Sequence, residues 1–187
     1  PDKPLASKVL MHYKLTNDEK HKMGLWPLQP GKVRIFIQDA RGGEAFLGED
    51  WAQLTPLDDH MKLYLGEARD IVCTRIIESN ERHPVRGNLV NQEVVVKYEI
   101  ENFKDQPVSL DVQENLPHVR REIPGYAERG RDAQWEILPE TNLEGGPDQE
   151  KTTVEDVLFH VSLPARAKDG KAEKLVRKLH VKFRNEW

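Results

Sequence analysis

The sequence predicts an all-β protein built as an antiparallel β-sandwich, and three observations carry that reading. Apolar and polar residues alternate at period two in stretch after stretch. Val33, Ile35 and Ile37 face one way with Lys32, Arg34 and Gln38 largely the other, and Val94, Val96, Tyr98 and Ile100 alternate with Lys97, Glu99 and Glu101. Glycine, proline and Asx turn chemistry separates these stretches, as in Ala40-Arg41-Gly42-Gly43 and Asn102-Phe103-Lys104-Asp105-Gln106-Pro107. Only 37% of residues are hydrophobic, 32% are charged and the mean hydropathy is -0.71. That composition suits antiparallel sheets with one wet face rather than a parallel sheet buried on both sides.

The chain reads as about ten strands in order. The first, near Lys8–Leu15, sets Val9, Met11, Tyr13 and Leu15 on one side. A turn-rich loop from Thr16 to Pro30 follows, with Asn17-Asp18, Gly24 and Pro27. Next comes a hairpin, Gly31–Asp39 against Glu44–Asp50. Thr55-Pro56-Leu57-Asp58-Asp59 has the look of a helix start, but Met61, Leu63 and Leu65 at period two predict a turn into a strand over His60–Gly66. Asp70–Glu78 is the next strand.

Beyond the polar stretch Ser79–Asn91 lies the clearest pair, with Val94–Ile100 and then Val108, Leu110 and Val112. A short strand at Ala133–Leu138 sits between two long loops, His118–Arg131 and the acidic Pro139–Thr152. The last pair is Val154–Leu163 and Leu175–Phe183, joined by the Lys168-Asp169-Gly170 turn. Leu175, Val176, Leu179 and Phe183 also fit a helical stripe, but the Asp-Gly turn favours a hairpin.

At 187 residues the chain is long enough for one large domain or two small ones. The expected organisation is an N-terminal β subdomain of hairpins over 1–80, a joint over 81–91, and a β subdomain over 92–187. The strand–short turn–strand pattern gives that second half an immunoglobulin-like character. The two are read as packed β subdomains or as halves of one core.

Composition excludes several classes. Net charge is -4 with a pI near 6.0, which leaves no global electrostatic case for nucleic acid or an anionic membrane. No apolar run approaches the roughly 20 residues that span a bilayer, so no membrane insertion is expected. The chain starts at Pro1 without a leader, as a processed protein or an excised fragment would. The single cysteine, Cys73, forbids an internal disulfide, and its place in phase with Ile71 and Ile77 reads as a small buried hydrophobe.

The search for chemistry yields no catalytic residue, no metal site and no cofactor. The seven histidines have no metal-ligand spacing, and Asp58-Asp59-His60, the densest ligand-like cluster, reads as a solvated turn. Neither glycine pair is followed by phosphate-loop residues, and no serine has a nucleophile context. Two surface features suit binding instead. Arg120, Arg121, Arg129 and Arg131 with Tyr126 form an arginine-rich segment whose guanidinium forks suit carboxylate or phosphate, including acidic polysaccharide. Of the four tryptophans, Trp51 and Trp135 are expected in the core, and Trp26, beside Pro27, at a joint or interface.

Several ordered blocks resemble a known family. They are Pro27–Phe36, Gly42–Asp50, Thr55-Pro56, Leu63–Val72, Tyr98–Val108, Leu116-Pro117 and Val161–Ala165. Together, over about Tyr13 to Phe183, they are similar to the bacterial domain of unknown function 4139. That is the C-terminal domain of exported, mucoidy-inhibitor-like proteins. The acidic Glu140–Glu150 segment and the basic last strand depart from the family pattern. The resemblance implies a periplasmic or extracytoplasmic β-domain and brings no catalytic residues.

The expected function is therefore a non-catalytic β-sandwich module of an envelope or exported protein. It would bind a protein partner or the missing N-terminal region of the same protein. The alternatives are a carbohydrate-binding module for acidic glycans and a hydrolase with an unrecognised carboxylate site.

Overall fold

Alternation at residues 92–102 builds the central strand of the larger sheet. In the computed structural model, Gln92, Val94, Val96, Tyr98, Ile100 and Asn102 are all buried, while the residues between them are half-buried. The structure describes residues 6–123, 134–167 and 169–186. It is 58% strand and 6% helix, and its strands pair antiparallel throughout. The described residues divide into two units, one of Lys8–Arg69 and the other of Ala6–Ser7 with the residues from Asp70 onward.

The larger unit is a two-layer sandwich. Its main sheet has five strands in the order β1-β6-β7-β11-β9, namely Ala6–Ser7, Ile71–Arg86, Leu89–Asn102, Lys174–Glu186 and Gln134–Ile137. The second layer pairs β8 (Val108–Asn115) with β10 (Asp156–Leu163). Ile71 and Cys73, the even row of β7, and Leu179, Val181 and Phe183 line the inner face of the large sheet. Val112 on β8 and Val157, Phe159, Val161 and Leu163 on β10 line the opposing face. A short helix, α1 (Leu116–Glu122), adds Leu116 and Val119 to this core.

The outer face of the large sheet carries ion pairs. Lys174 meets Glu99 at 3.1 Å, Lys182 meets Glu93 at 2.8 Å, and Lys178 pairs with Glu78. The basic last strand is thus neutralised by the acids of its neighbours, and such exposed pairs contribute little stability each.

The smaller unit has two antiparallel pairs, the sequence-distant β2 (Leu10–Thr16) and β5 (His60–Glu67), and the hairpin of β3 (Gly31–Gln38) and β4 (Glu44–Ala52). Ala52, Met61 and Leu63 form its core, with Leu28, Val33 and Ile35 packed against them.

Several expectations are corrected. The predicted joint over 81–91 is the far end of the β6–β7 hairpin, paired from Ile71↔Asn102 to Arg86↔Leu89 and turning at Gly87. Its polar residues belong to an exposed ribbon end, and Pro84 is tolerated beside a bulge. The unit boundary falls at Arg69/Asp70 instead, so the 1–80 subdomain loses β6 to the larger unit.

Ile37 is exposed, unlike half-buried Val33 and Ile35, because from Phe36 onward every residue of β3 is exposed and the far end of the hairpin runs past the core. The bulge in the β3–β4 pairing at Ile35/Phe36 puts its extra residue, Leu47, on β4. Trp51 is not a core residue: it is 66% exposed, because its neighbour Ala52 takes the inward position on β4. The start of the His118–Arg131 loop is helical through Glu122, capped by Asn115, whose side-chain oxygen accepts from the His118 amide at 3.0 Å. Pro117 in the first turn supports that start.

The last element is a strand, but the expected hairpin with β10 does not form: β11 pairs with β7 and β9, and β10 with β8, so the connection between them crosses from one layer to the other. Cys73 is buried, with its thiol held above the ordinary value by burial and by Glu114. No helix among the described residues is long and apolar enough to cross a membrane.

Candidate functional site

In the smaller unit, a buried asparagine organises two loops. Asn17 is 1% exposed and follows β2 directly. Its amide nitrogen donates to the carbonyl oxygens of Trp26 (3.1 Å), Thr55 (3.2 Å) and Pro56 (3.0 Å). Its side-chain oxygen accepts from the Gly24 amide at 2.8 Å. Its backbone joins the same knot, accepting from the Asp58 amide and donating to the Asp59 carbonyl, both at 2.9 Å.

Leu28 and Thr55 exchange a reciprocal pair of backbone bonds beside it. Gly24 is required here. Its φ is +86°, and a Cβ would lie 2.6 Å from the Asp18 carbonyl carbon. Asp18 caps the adjoining 3-10 turn over Glu19–His21, and the His21 amide and ring hold its carboxyl below the ordinary range.

The knot fixes the backbone while leaving large apolar side chains outside. Leu25 is 77% exposed and Trp26 76%, and Leu54 and Leu57 on the partner loop are exposed as well. Every loop carbonyl that Asn17 binds is satisfied internally, so the backbone of this cluster is ordered without help from a ligand. Trp26 is therefore at an outward-facing position, as expected of an interface residue.

The arginine-rich segment is only partly described. Arg120 and Arg121 lie in the last turn of α1, where their charge complements the helix dipole, and consecutive helical positions splay them apart. Tyr126, Arg129 and Arg131 lie outside the described residues, so no convergence of the five is established.

Sequence reasoning missed a charged network inside the larger unit. Arg75 on β6 reaches Glu114 on β8 through two hydrogen bonds, Nε–Oε2 at 2.8 Å and Nη2–Oε1 at 2.9 Å. Its third arm donates to Glu122 on α1 at 2.8 Å, and the Tyr98 hydroxyl donates to Glu114 at 2.6 Å. Burial and the neighbouring Glu114 charge push the Tyr98 hydroxyl far above its ordinary value, so it stays protonated as a donor. Burial pulls Arg75 down, but its bonds to Glu114 and Glu122 outweigh that and hold it charged.

The signal was present: Arg75 falls in phase with Ile71 and Cys73, and Glu114 in phase with Leu110 and Val112. A charge on the apolar side of an alternating strand calls for a buried partner. Because each acceptor and donor in this network is met within the protein, its role is to lock layer to layer.

A second cluster lies on the outer side of the β8–β10 layer. His160 Nδ1 meets Asp111 at 2.8 Å and Nε2 meets Asp148 at 3.0 Å. Asp148 also accepts the amides of Glu150 and Lys151, so this residue ties the acidic 140–150 segment down to β10. The two carboxylates raise His160 above its ordinary value. Asp58 and Asp59 form an exposed turn, with Asp58 at φ 62° and Asp59 accepting from the His60 amide. Among the described residues no group of three or more His, Cys, Asp or Glu side chains is placed to hold a metal ion.

No protein-family model, curated protein or solved structure matches this chain.

Proposed function

We propose that this chain is a non-catalytic β-module that binds or assembles with a protein partner, or with another region of its own protein. The contact surface in this reading is the loop cluster around Trp26. The observation that carries it is the combination of exposure and order at that cluster. Leu25 and Trp26 stand in solvent on a backbone fixed by the four side-chain bonds of buried Asn17. Exposed aromatic and aliphatic anchors on a rigid base lose little entropy on docking, which is the character of an interface hot spot.

The non-catalytic part of the reading rests on saturation. The most buried carboxylate network is closed on itself through Arg75 and Tyr98, and both nitrogens of His160 are already engaged. The resemblance to the domain of unknown function 4139 adds an exported bacterial context and an extracytoplasmic location to this proposal.

Site-specific photocrosslinking tests it. A photoreactive residue at Trp26 is expected to give a discrete adduct in cells producing the whole protein, while one at Arg41, in the exposed β3–β4 turn, gives none. Equal labelling at both sites, or none at either, would overturn the reading.

A further inference from the structure

The edge of the larger unit carries a groove of about 780 Å³ that the loop cluster around Trp26 does not involve. Its floor is β9, the edge strand of the five-stranded sheet, and its far wall is the turn over residues 152–154. Trp135 is half-buried in it, opposite Phe183 in the β9–β11 pairing. The indole Nε1–H donates to the Val154 carbonyl at 2.8 Å, which fixes the ring and consumes its single donor. What the ring offers the groove is apolar surface.

Val154 adds a second apolar side chain, and the other lining residues are polar with little net charge. Gln134 presents an amide carrying both donor and acceptor atoms. The Thr153 hydroxyl accepts from the Glu155 and Asp156 amides at 3.2 and 3.0 Å, so its own proton is free to donate outward. Glu136 and Arg184 pair with each other, leaving a carboxylate and a guanidinium side by side with no net charge.

A fixed indole face beside paired acceptors and donors matches the surface of a sugar ring, which has an apolar C–H face and a rim of hydroxyls. The geometry points to a binding site for a neutral oligosaccharide in the groove between β9 and residues 152–154, with Trp135 as the stacking platform. An acidic glycan fits worse here. Arg184 already has a carboxylate partner, and Glu136 would repel a uronate.

The test is titration of the intact protein with neutral glucan and N-acetylglucosamine tetrasaccharides, with a polyuronate tetrasaccharide in parallel. Binding is followed by two-dimensional amide and indole NMR. The expected result is saturable shifts at the Trp135 indole and at the Gln134 and Thr153 amides with a neutral sugar. Trp135→Ala is expected to weaken that binding roughly tenfold or more. Because Trp135 also packs near Phe183, Gln134→Ala and Glu136→Gln serve as milder variants. Each is expected to lower affinity while the thermal melt stays unchanged.

Three results would each overturn the proposal. One is no shift with any neutral sugar at tens of millimolar. Another is tighter binding of the polyuronate. The third is shifts centred on the Trp26 or Trp51 indoles instead.

Discussion

Arg75 and Glu114 face each other across the core of the larger unit, joined by two parallel hydrogen bonds of 2.8 and 2.9 Å. The pair connects the five-stranded sheet to the β8–β10 layer at a point where Glu114 is 5% exposed. A two-pronged arginine–carboxylate pair fixes direction as well as distance, which an apolar contact does not.

Breaking that pair from one side is expected to be severe. Arg75→Met strands a buried carboxylate whose remaining side-chain partner among the described residues is the Tyr98 hydroxyl, and a loss of about 3–5 kcal/mol is expected. The double variant Arg75→Met/Glu114→Leu removes both charges and is expected to recover most of that loss. Tyr98→Phe, which deletes only the hydroxyl donor, is expected to cost about 1–2 kcal/mol. Urea denaturation of the four proteins checks all three values. A double variant as unstable as Arg75→Met would show that the pair itself is strongly stabilising.

His160 makes stability depend on pH in a definite direction. Its folded value is raised above the ordinary 6.5 by Asp111 first and Asp148 second. Its contribution is therefore complete below about 6.5 and is lost as pH rises through the folded value. Asp148 is shifted the other way, lowered by its bond to His160, so its contribution fades as pH falls through its folded value. The 140–150 segment is expected to be held most firmly between those limits. Proton NMR titration of the His160 ring is expected to give a value above 6.5 that drops in Asp148→Asn. An unchanged value in that variant would refute the contact.

Strand existence was legible because alternation is a local signal: Val94–Ile100 sorts into inside and outside by parity alone. The exposure of Ile37 was not legible, since alternation along β3 gives the side each residue faces but not where the core beneath that side ends. The polar 79–91 stretch misled for a related reason. A solvated ribbon end and a linker have the same composition, and only cross-strand pairing tells them apart. Trp26, expected at a joint or interface from its place beside Pro27, is exposed. The Asn17 hub that fixes it was hidden, because it depends on carbonyls up to 39 positions away.

Cys73 provides an internal reporter of opening. Burial and Glu114 raise its thiol above the ordinary value, so both access and ionisation suppress its reactivity in the folded state. Reaction with a thiol reagent at pH 8 is expected to be slow in the native protein and to become rapid across the urea transition. Arg75→Met is expected to accelerate it in native buffer, in proportion to the larger open population. Fast reaction of the wild-type protein in the absence of urea would contradict the burial of this side chain.

Asn17 links the stability of the smaller unit to its proposed contact surface, and substitution there separates the two. Asn17→Ala takes their side-chain partner from the Trp26 carbonyl and the Gly24 amide and one of two donors from the Thr55 and Pro56 carbonyls, and a cost of about 2–4 kcal/mol is expected. Asn17→Asp is expected to be at least as damaging, because a carboxylate keeps the acceptor for Gly24 but sets negative charge against three carbonyl oxygens. Hydrogen exchange should show faster loss of protection at the Leu28, Thr55 and Asp58 amides, whose backbone bonds lie within the knot. Trp26→Ser removes only an exposed side chain, so it is expected to leave that protection and the melting temperature within error while abolishing the photocrosslink at neighbouring Leu25. If Trp26→Ser instead loosened the same amides, the indole would be holding the loop together and its exposure would no longer argue for a partner.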